Sequence, residues 1–122
     1  MTDCILCQKY AIRFIENEFA WAMFDEFPVC NGHTLIVPKR HVKDFFHATA
    51  EEKIAMLELI DRAKEIIDTK YSPDGYNIGT NCGETAGQTV MHLHIHLIPR
   101  YKGDVQDPRG GVRGVIPTKQ HY

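Results

Sequence analysis

Positive charge is not in excess in this sequence, and no apolar run approaches the roughly 20 residues that a helix needs to cross a bilayer. Fourteen Lys and Arg stand against 16 Asp and Glu, for a formal charge of −2. The missing basic excess removes the electrostatic case for nucleic acid or a membrane surface as a partner. The missing apolar run removes a spanning helix. The first residues, Met1-Thr2-Asp3-Cys4, carry no basic region followed by an apolar stretch, so they do not read as a signal peptide. There are no internal repeats and no low-complexity segments. Only four cysteines occur, and two of them, Cys4 and Cys7, form a Cys-x-x-Cys pair. In a reducing compartment such a pair points to metal or redox chemistry before a disulfide. Together these features place the expected protein in the cytoplasm.

What is present is enough for one ordinary domain. With 122 residues, 43% apolar and 25% charged, the chain has the composition of a globular protein with a single core. Arg13-Phe14-Ile15 and Ala20-Trp21-Ala22-Met23-Phe24 flank Glu16-Asn17-Glu18 and predict a hairpin. His33-Thr34-Leu35-Ile36-Val37 predicts a β-branched strand that Pro38 ends. A helix is expected from about Ala50 to Thr69, opened by Thr49 and Glu52 as a capping box. Met56, Leu59, Ile60, Ala63, Ile66 and Ile67 recur at helical spacing as its buried stripe, and its charged residues, Glu52 among them, read as the solvated face. Ser72-Pro73-Asp74-Gly75 is a turn before a short strand, Tyr76 to Thr80. Val90 to Ile98 alternates as a final strand. The expectation is an α+β domain over residues 1–100, an antiparallel sheet of about five strands with one long helix and a short one. The glycine-rich tail, 101–122, is expected to be irregular and to pack on or near the active site; its basic residues read first as solvated, with a flexible flap over the distal phosphates of a substrate as the alternative.

That last strand carries the chemistry. Side chains alternate along a strand, so His92, His94 and His96 are expected on one face and Leu93, Ile95 and Leu97 on the other. Three imidazoles in a row fit either a metal site or a nucleophile that attacks phosphorus, and alternation alone does not separate the two. The approach to the strand, Asn81 to Thr89, holds Gly83 and Gly87. Small residues let backbone amides come close to a phosphate, and Gln88 and Thr89 can donate hydrogen bonds.

Gly87-Gln88-Thr89-Val90-Met91-His92-Leu93-His94-Ile95-His96-Leu97-Ile98-Pro99-Arg100 resembles the signature of the histidine triad (HIT) family, His-φ-His-φ-His-φ-φ with φ apolar. Asp25 to Lys39 is similar to the family's Pro-x-x-x-Gly-His strand region, and the resemblance runs from about Cys4 to Arg100. It implies the HIT-like fold, a homodimer, and hydrolysis of a phosphoanhydride or phosphoramidate at the α-phosphate of a purine nucleotide or dinucleoside polyphosphate. By the same resemblance His94 is the nucleophile, His96 contacts phosphoryl or leaving-group oxygens, and His92 supports their geometry. Gln88 and Asn81 match positions at the phosphate or leaving group, and Asp25 matches the residue that holds the ribose hydroxyls. Its bland alternative is a turn-capping Asp. Because transferase relatives replace the third histidine with Gln, His96 favours hydrolysis. Some bacterial relatives bind structural zinc through positions that match Cys4, Cys7, His41 and His92; no catalytic cofactor is implied. His33 is expected as a partner beneath the triad. The competing readings are a metal-dependent hydrolase and a nucleotide-binding scaffold.

Overall fold

The computed structural model describes residues 3–122. The expectation about Met1 and Thr2 lies outside them. Five strands form one antiparallel sheet in the order β1-β2-β3-β5-β4: β1 is Ile15–Glu16, β2 Ala20–Phe24, β3 Thr34–Pro38, β4 Gly75–Gly79 and β5 Ile95–Arg100. A short helix, α1 (Ile5–Gln8), lies on one face and the long helix, α2 (Ala50–Tyr71), on the other. Among the described residues no helix is long and apolar enough to cross a membrane.

Helix α2 starts where its capping residues dictate. The Thr49 hydroxyl accepts from the Glu52 N–H, and the Glu52 carboxylate accepts in return from the Thr49 N–H at 2.8 Å. It ends at Ser72, whose left-handed backbone (φ 53°) stops the helical repeat before Pro73. Met56, Leu59, Ile60, Ala63 and Ile67 pack against Ala22, Ile36, Ile95 and Leu97 of the sheet. Two expectations on this helix are corrected. Ile66 is exposed at the edge of the stripe, and Glu52 is buried, where Arg40 reaches both of its carboxylate oxygens at 2.8 and 2.9 Å. A charge can sit there because the cap and the guanidinium satisfy it.

The opposite face of the sheet carries Trp21, Met23, Leu35 and Val37, and Leu6 of α1 covers them. The predicted hairpin forms, with Ile15 opposite Ala22. Pro38, expected to terminate β3, is its last residue and pairs with Ala20. The tail folds into two 3₁₀ turns, Gly111–Val115 and Pro117–Lys119.

Candidate active site

The largest correction concerns the histidine strand. β5 begins at Ile95, so of the three histidines only His96 lies in a strand. The physical reason sits on the neighbouring strand. Thr34, Leu35 and Ile36 of β3 pair with Leu97, His96 and Ile95, and continuing that register would bring Leu93 opposite Pro38. Pro38 has no N–H to donate. Its carbonyl is already taken, accepting from His92 Nε2 at 3.0 Å. The backbone N–H of Leu93 instead donates to the Val42 carbonyl at 2.8 Å. Leu93, Ile95 and Leu97 still enter the core behind α2. His92, however, turns inward and is 1% exposed, while His94 and His96 remain beside each other with ring centres 5.2 Å apart.

Hydrogen-bond partners fix the tautomers of this pair in opposite senses. His94 Nδ1 stands 2.8 Å from the His92 carbonyl. A carbonyl only accepts, so Nδ1 carries the proton and Nε2 keeps its lone pair. The assignment for His96 begins one ring further away. The Val29 N–H donates to His33 Nδ1 at 3.1 Å, so the His33 proton is on Nε2. That Nε2–H donates to His96 Nδ1 at 3.0 Å, which leaves the His96 proton on Nε2. Two adjacent imidazoles thus present a lone pair and an N–H donor. Burial, reinforced by the neighbouring His94 and His33, pushes His96 down to about 4. Burial also lowers His33, with the Asp25 carboxylate 3.6 Å from its Nε2 opposing. Both rings are therefore neutral near pH 7.

Two cavities meet at His96. The smaller, about 240 Å³, is bounded by Met23, Leu35, Phe27, Asp25, Thr89 and His94. The Asp25 side chain caps its own turn through Oδ1, which accepts from the Phe27 N–H at 3.0 Å. The larger, about 500 Å³, lies on the far side of His96, with Asn77 and Asn81 on its wall and residues 111–115 of the tail across from them. A third cavity, about 550 Å³, lies between Arg100 and the tail and holds neither His94 nor His96.

Gln88, expected at the phosphate, is not part of either cavity at the histidines. It is buried, its amide nitrogen donates to the carbonyls of Lys43 (2.6 Å) and Val90 (3.1 Å), and its oxygen accepts from the Gly83 N–H at 2.8 Å. Every bond goes to backbone, so in this conformation Gln88 clamps the loop. The basic tail is also otherwise engaged. Arg100 binds Asp104 and Asn77, and Arg113 donates to the carbonyls of Lys119 and Gln120. Among the described residues no Lys or Arg of the tail lines either cavity at His96. His47 and His121 bond Asp44 and the Asp107 carbonyl, away from the site.

A separate cluster forms on the other side of His92. Cys4, Cys7, His41 and His92 bring one ligand atom each to within 4.8 Å of one another. Cys4 Sγ and Cys7 Sγ stand 3.5 and 3.4 Å from His92 Nδ1, and Cys7 Sγ stands 3.5 Å from His41 Nδ1. Tetrahedral zinc with its usual Zn–S and Zn–N bonds separates S from N by about 3.5 Å. The donor set also fits, since Pro38 takes the His92 Nε2 proton and leaves Nδ1 free to ligate.

Sequence reasoning found His33 but missed the Val29 amide that sets its tautomer, because a backbone donor leaves no mark in residue identity.

Comparison with known proteins gives a consistent match. Residues 7–103 match the family model described as the HIT domain. An HIT-like protein of Methanocaldococcus jannaschii is 42% identical over 106 residues, which cover 83% of this chain and 81% of that protein. The bis(5′-adenosyl)-triphosphatase of Dictyostelium discoideum is 35% identical over 94 residues, 77% of this chain and 63% of that enzyme. Among solved structures, a zinc-bound histidine triad family protein from Mycobacterium smegmatis superposes with a TM-score of 0.78 at 32% identity, covering 87% of this chain and 81% of that one.

Proposed function

The chain belongs to the HIT-domain family, and from that membership we propose that it hydrolyses a nucleotide at its α-phosphorus through a covalent nucleotidyl-His94 intermediate. The observation that carries this reading is the opposite tautomer of two neighbouring imidazoles, a lone pair on His94 Nε2 and a proton on His96 Nε2.

The nucleoside sits in the smaller cavity, its base against Met23 and Leu35 and its ribose hydroxyls on Asp25, with Thr89 at the phosphate end. His94 Nε2 attacks the α-phosphorus. The bond from phosphorus to the leaving group breaks, and the leaving group departs with its electron pair, its developing charge met by the hydrogen bond that His96 Nε2–H donates. His33 donates into Nδ1 of that ring and so keeps its proton on Nε2, toward the leaving group. Water then attacks the nucleotidyl-His94, the P–N bond breaks with its electron pair returning to His94 Nε2, and the nucleotide and one proton leave to solvent. The loop from Asn81 to Thr89 spends the N–H groups of Gly83, Ala86, Gly87 and Gln88 on itself and brings Thr89 to the phosphoryl oxygens. Its Gly83 and Gly87 adopt φ of 94° and 98°, a backbone that other residues rarely take.

Asp25, His33 and His96 could be counted as a second set of metal ligands. Both His33 nitrogens and His96 Nδ1 are already committed to one another and to Val29, which favours a hydrogen-bonded pair over a catalytic ion. We assign the metal to the other cluster. Zinc on Cys4, Cys7, His41 and His92 would cross-link the N-terminal segment to the loop that carries His94. The family pairing is read as a homodimer along β4, the outer strand of the sheet, where Ile78 is half exposed.

The test is turnover of a nucleoside phosphoramidate and a dinucleoside polyphosphate by the wild type and by His94→Ala. The variant is expected to lose at least about a thousandfold in kcat, as removal of a nucleophile does elsewhere. Full turnover by His94→Ala would exclude attack by this ring. Nucleotide binding without turnover in the wild type would leave a binding protein.

A further inference from the structure

Lys9 and Glu26 come from different parts of the chain and meet on the rim of the smaller cavity. Lys9 opens the 3₁₀ turn Lys9–Ile12 that follows α1, and Glu26 follows Asp25 in the loop after β2. Lys9 Nζ stands 2.6 Å from Glu26 Oε1, and both residues line the cavity. At 31% and 46% exposure their side chains stand at its mouth, where neither charge has to be buried. Much of the remaining wall is apolar, with Ile5 and Leu6 from α1 and Met23 and Leu35 from the sheet. An ion pair this exposed adds little to stability. What it offers is a row of polar atoms at the end of an apolar slot.

A nucleoside with its α-phosphate at His94 and its ribose on Asp25 extends its base between these apolar walls. The base edge furthest from the sugar then reaches the mouth. There the pair presents three atoms in order: Nζ donates, Oε1 accepts and Oε2 accepts. Oε1 can serve Lys9 and the base together, because a carboxylate oxygen accepts more than one hydrogen bond. That row is the complement of one purine edge. Guanine offers O6, N1–H and the 2-amino N–H, an acceptor followed by two donors, and satisfies all three atoms. Adenine offers its 6-amino group, N1 and a C–H, which sets donor against donor and acceptor against acceptor. Turned over, adenine still fills only two of the three positions. A site built of polar groups strongly rejects a ligand that leaves them unpaired.

We propose that Lys9 and Glu26 read the base, and that the chain takes guanine nucleotides in preference to adenine nucleotides. This rests on the placement of the nucleoside in the smaller cavity. Lys9 Nζ donates to O6, Glu26 Oε1 accepts from N1–H, and Oε2 accepts from the 2-amino group. Asp25 and Glu26 are consecutive, so one loop holds both sugar and base. The turn of that loop is fixed by Asp25 Oδ1, which accepts from the Phe27 N–H at 3.0 Å. Hypoxanthine keeps O6 and N1–H but lacks the 2-amino group. It pairs two of the three atoms in the correct sense and ranks between guanine and adenine.

The experiment measures dissociation constants of GMP, IMP and AMP for the full chain by calorimetry, which needs no turnover. The phosphate and ribose are common to all three, so the differences report the base. GMP is expected to bind tightest, then IMP, then AMP, with at least about tenfold between GMP and AMP. Glu26→Gln replaces an acceptor with a donor and is expected to close that gap. Lys9→Met is expected to weaken GMP and IMP alike and to leave their ratio unchanged, because the 2-amino group meets Glu26. Equal affinity for GMP and AMP in the wild type, or tighter AMP, overturns the proposal. So does a GMP preference that Glu26→Gln leaves intact. If the three bind in the expected order and no nucleotide substrate is turned over, the base reader stands and the nucleotidyl-histidine reading falls. If none of the three binds, the placement of the nucleoside falls and the proposal with it.

Discussion

At the scale of single residues, the site depends on which nitrogen of each ring carries a proton, and backbone groups decide this. The His92 carbonyl fixes His94, and the Val29 amide fixes His96 through His33. His33→Ala removes the donor to His96 Nδ1 and is expected to lower kcat by about 10–100-fold with little change in KM, because the ring acts through His96 and not on substrate. An equal rise in KM would argue that His33 binds substrate. Gln88→Ala leaves the Gly83 N–H and the Lys43 and Val90 carbonyls without their side-chain partner, and should cost about 1–3 kcal/mol in a denaturant titration. No change in stability would contradict the clamp. The chemistry-bearing residue types were readable from the sequence at this scale, but their partners were not. An amide such as Gln88 can serve a ligand or a loop equally well, and only the fold shows which.

At the scale of elements, periodicity located α2 and the core side of β5. The capping pattern Thr49-x-x-Glu52 marked the helix start to the residue. Thr49→Ala is expected to cost about 1 kcal/mol. The beginning of β5 was not readable, because it is set by a proline on β3 that closes the ladder opposite Leu93. The same event turns His92 out of the row and toward the cysteines. Burial of Glu52 was likewise invisible, since it depends on Arg40 reaching over from the segment after β3. Gly32 marks where β3 is entered. At φ 89°, with a Cβ 3.0 Å from the Tyr71 ring, Gly32→Ala is strained by its backbone as well as its packing, and should lower the melting temperature more than Thr49→Ala does.

At the scale of the whole molecule, the sheet separates two jobs: α2 covers one face, and α1 and the histidines occupy the other. Buried neutral histidines tie this arrangement to pH. His96 is lowered from 6.5 to about 4 by burial, and burial lowers His33 and His92 as well. Between these values the unfolded chain binds protons that the folded chain refuses. Stability is therefore full above about pH 6.5 and falls as pH drops toward 4, with His96 alone contributing on the order of 3 kcal/mol. Melting temperatures measured across that window should decline steadily on acidification; a flat profile would contradict the neutral pair.

The central claim is that His94 carries the nucleotide during turnover. The direct measurement is mass spectrometry of the wild type quenched in alkaline denaturant while hydrolysing a nucleoside 5′-phosphoramidate. The expected result is one nucleotidyl group on the peptide containing His94, absent from His94→Ala. Rapid turnover with no adduct, or an adduct on another residue, would contradict it.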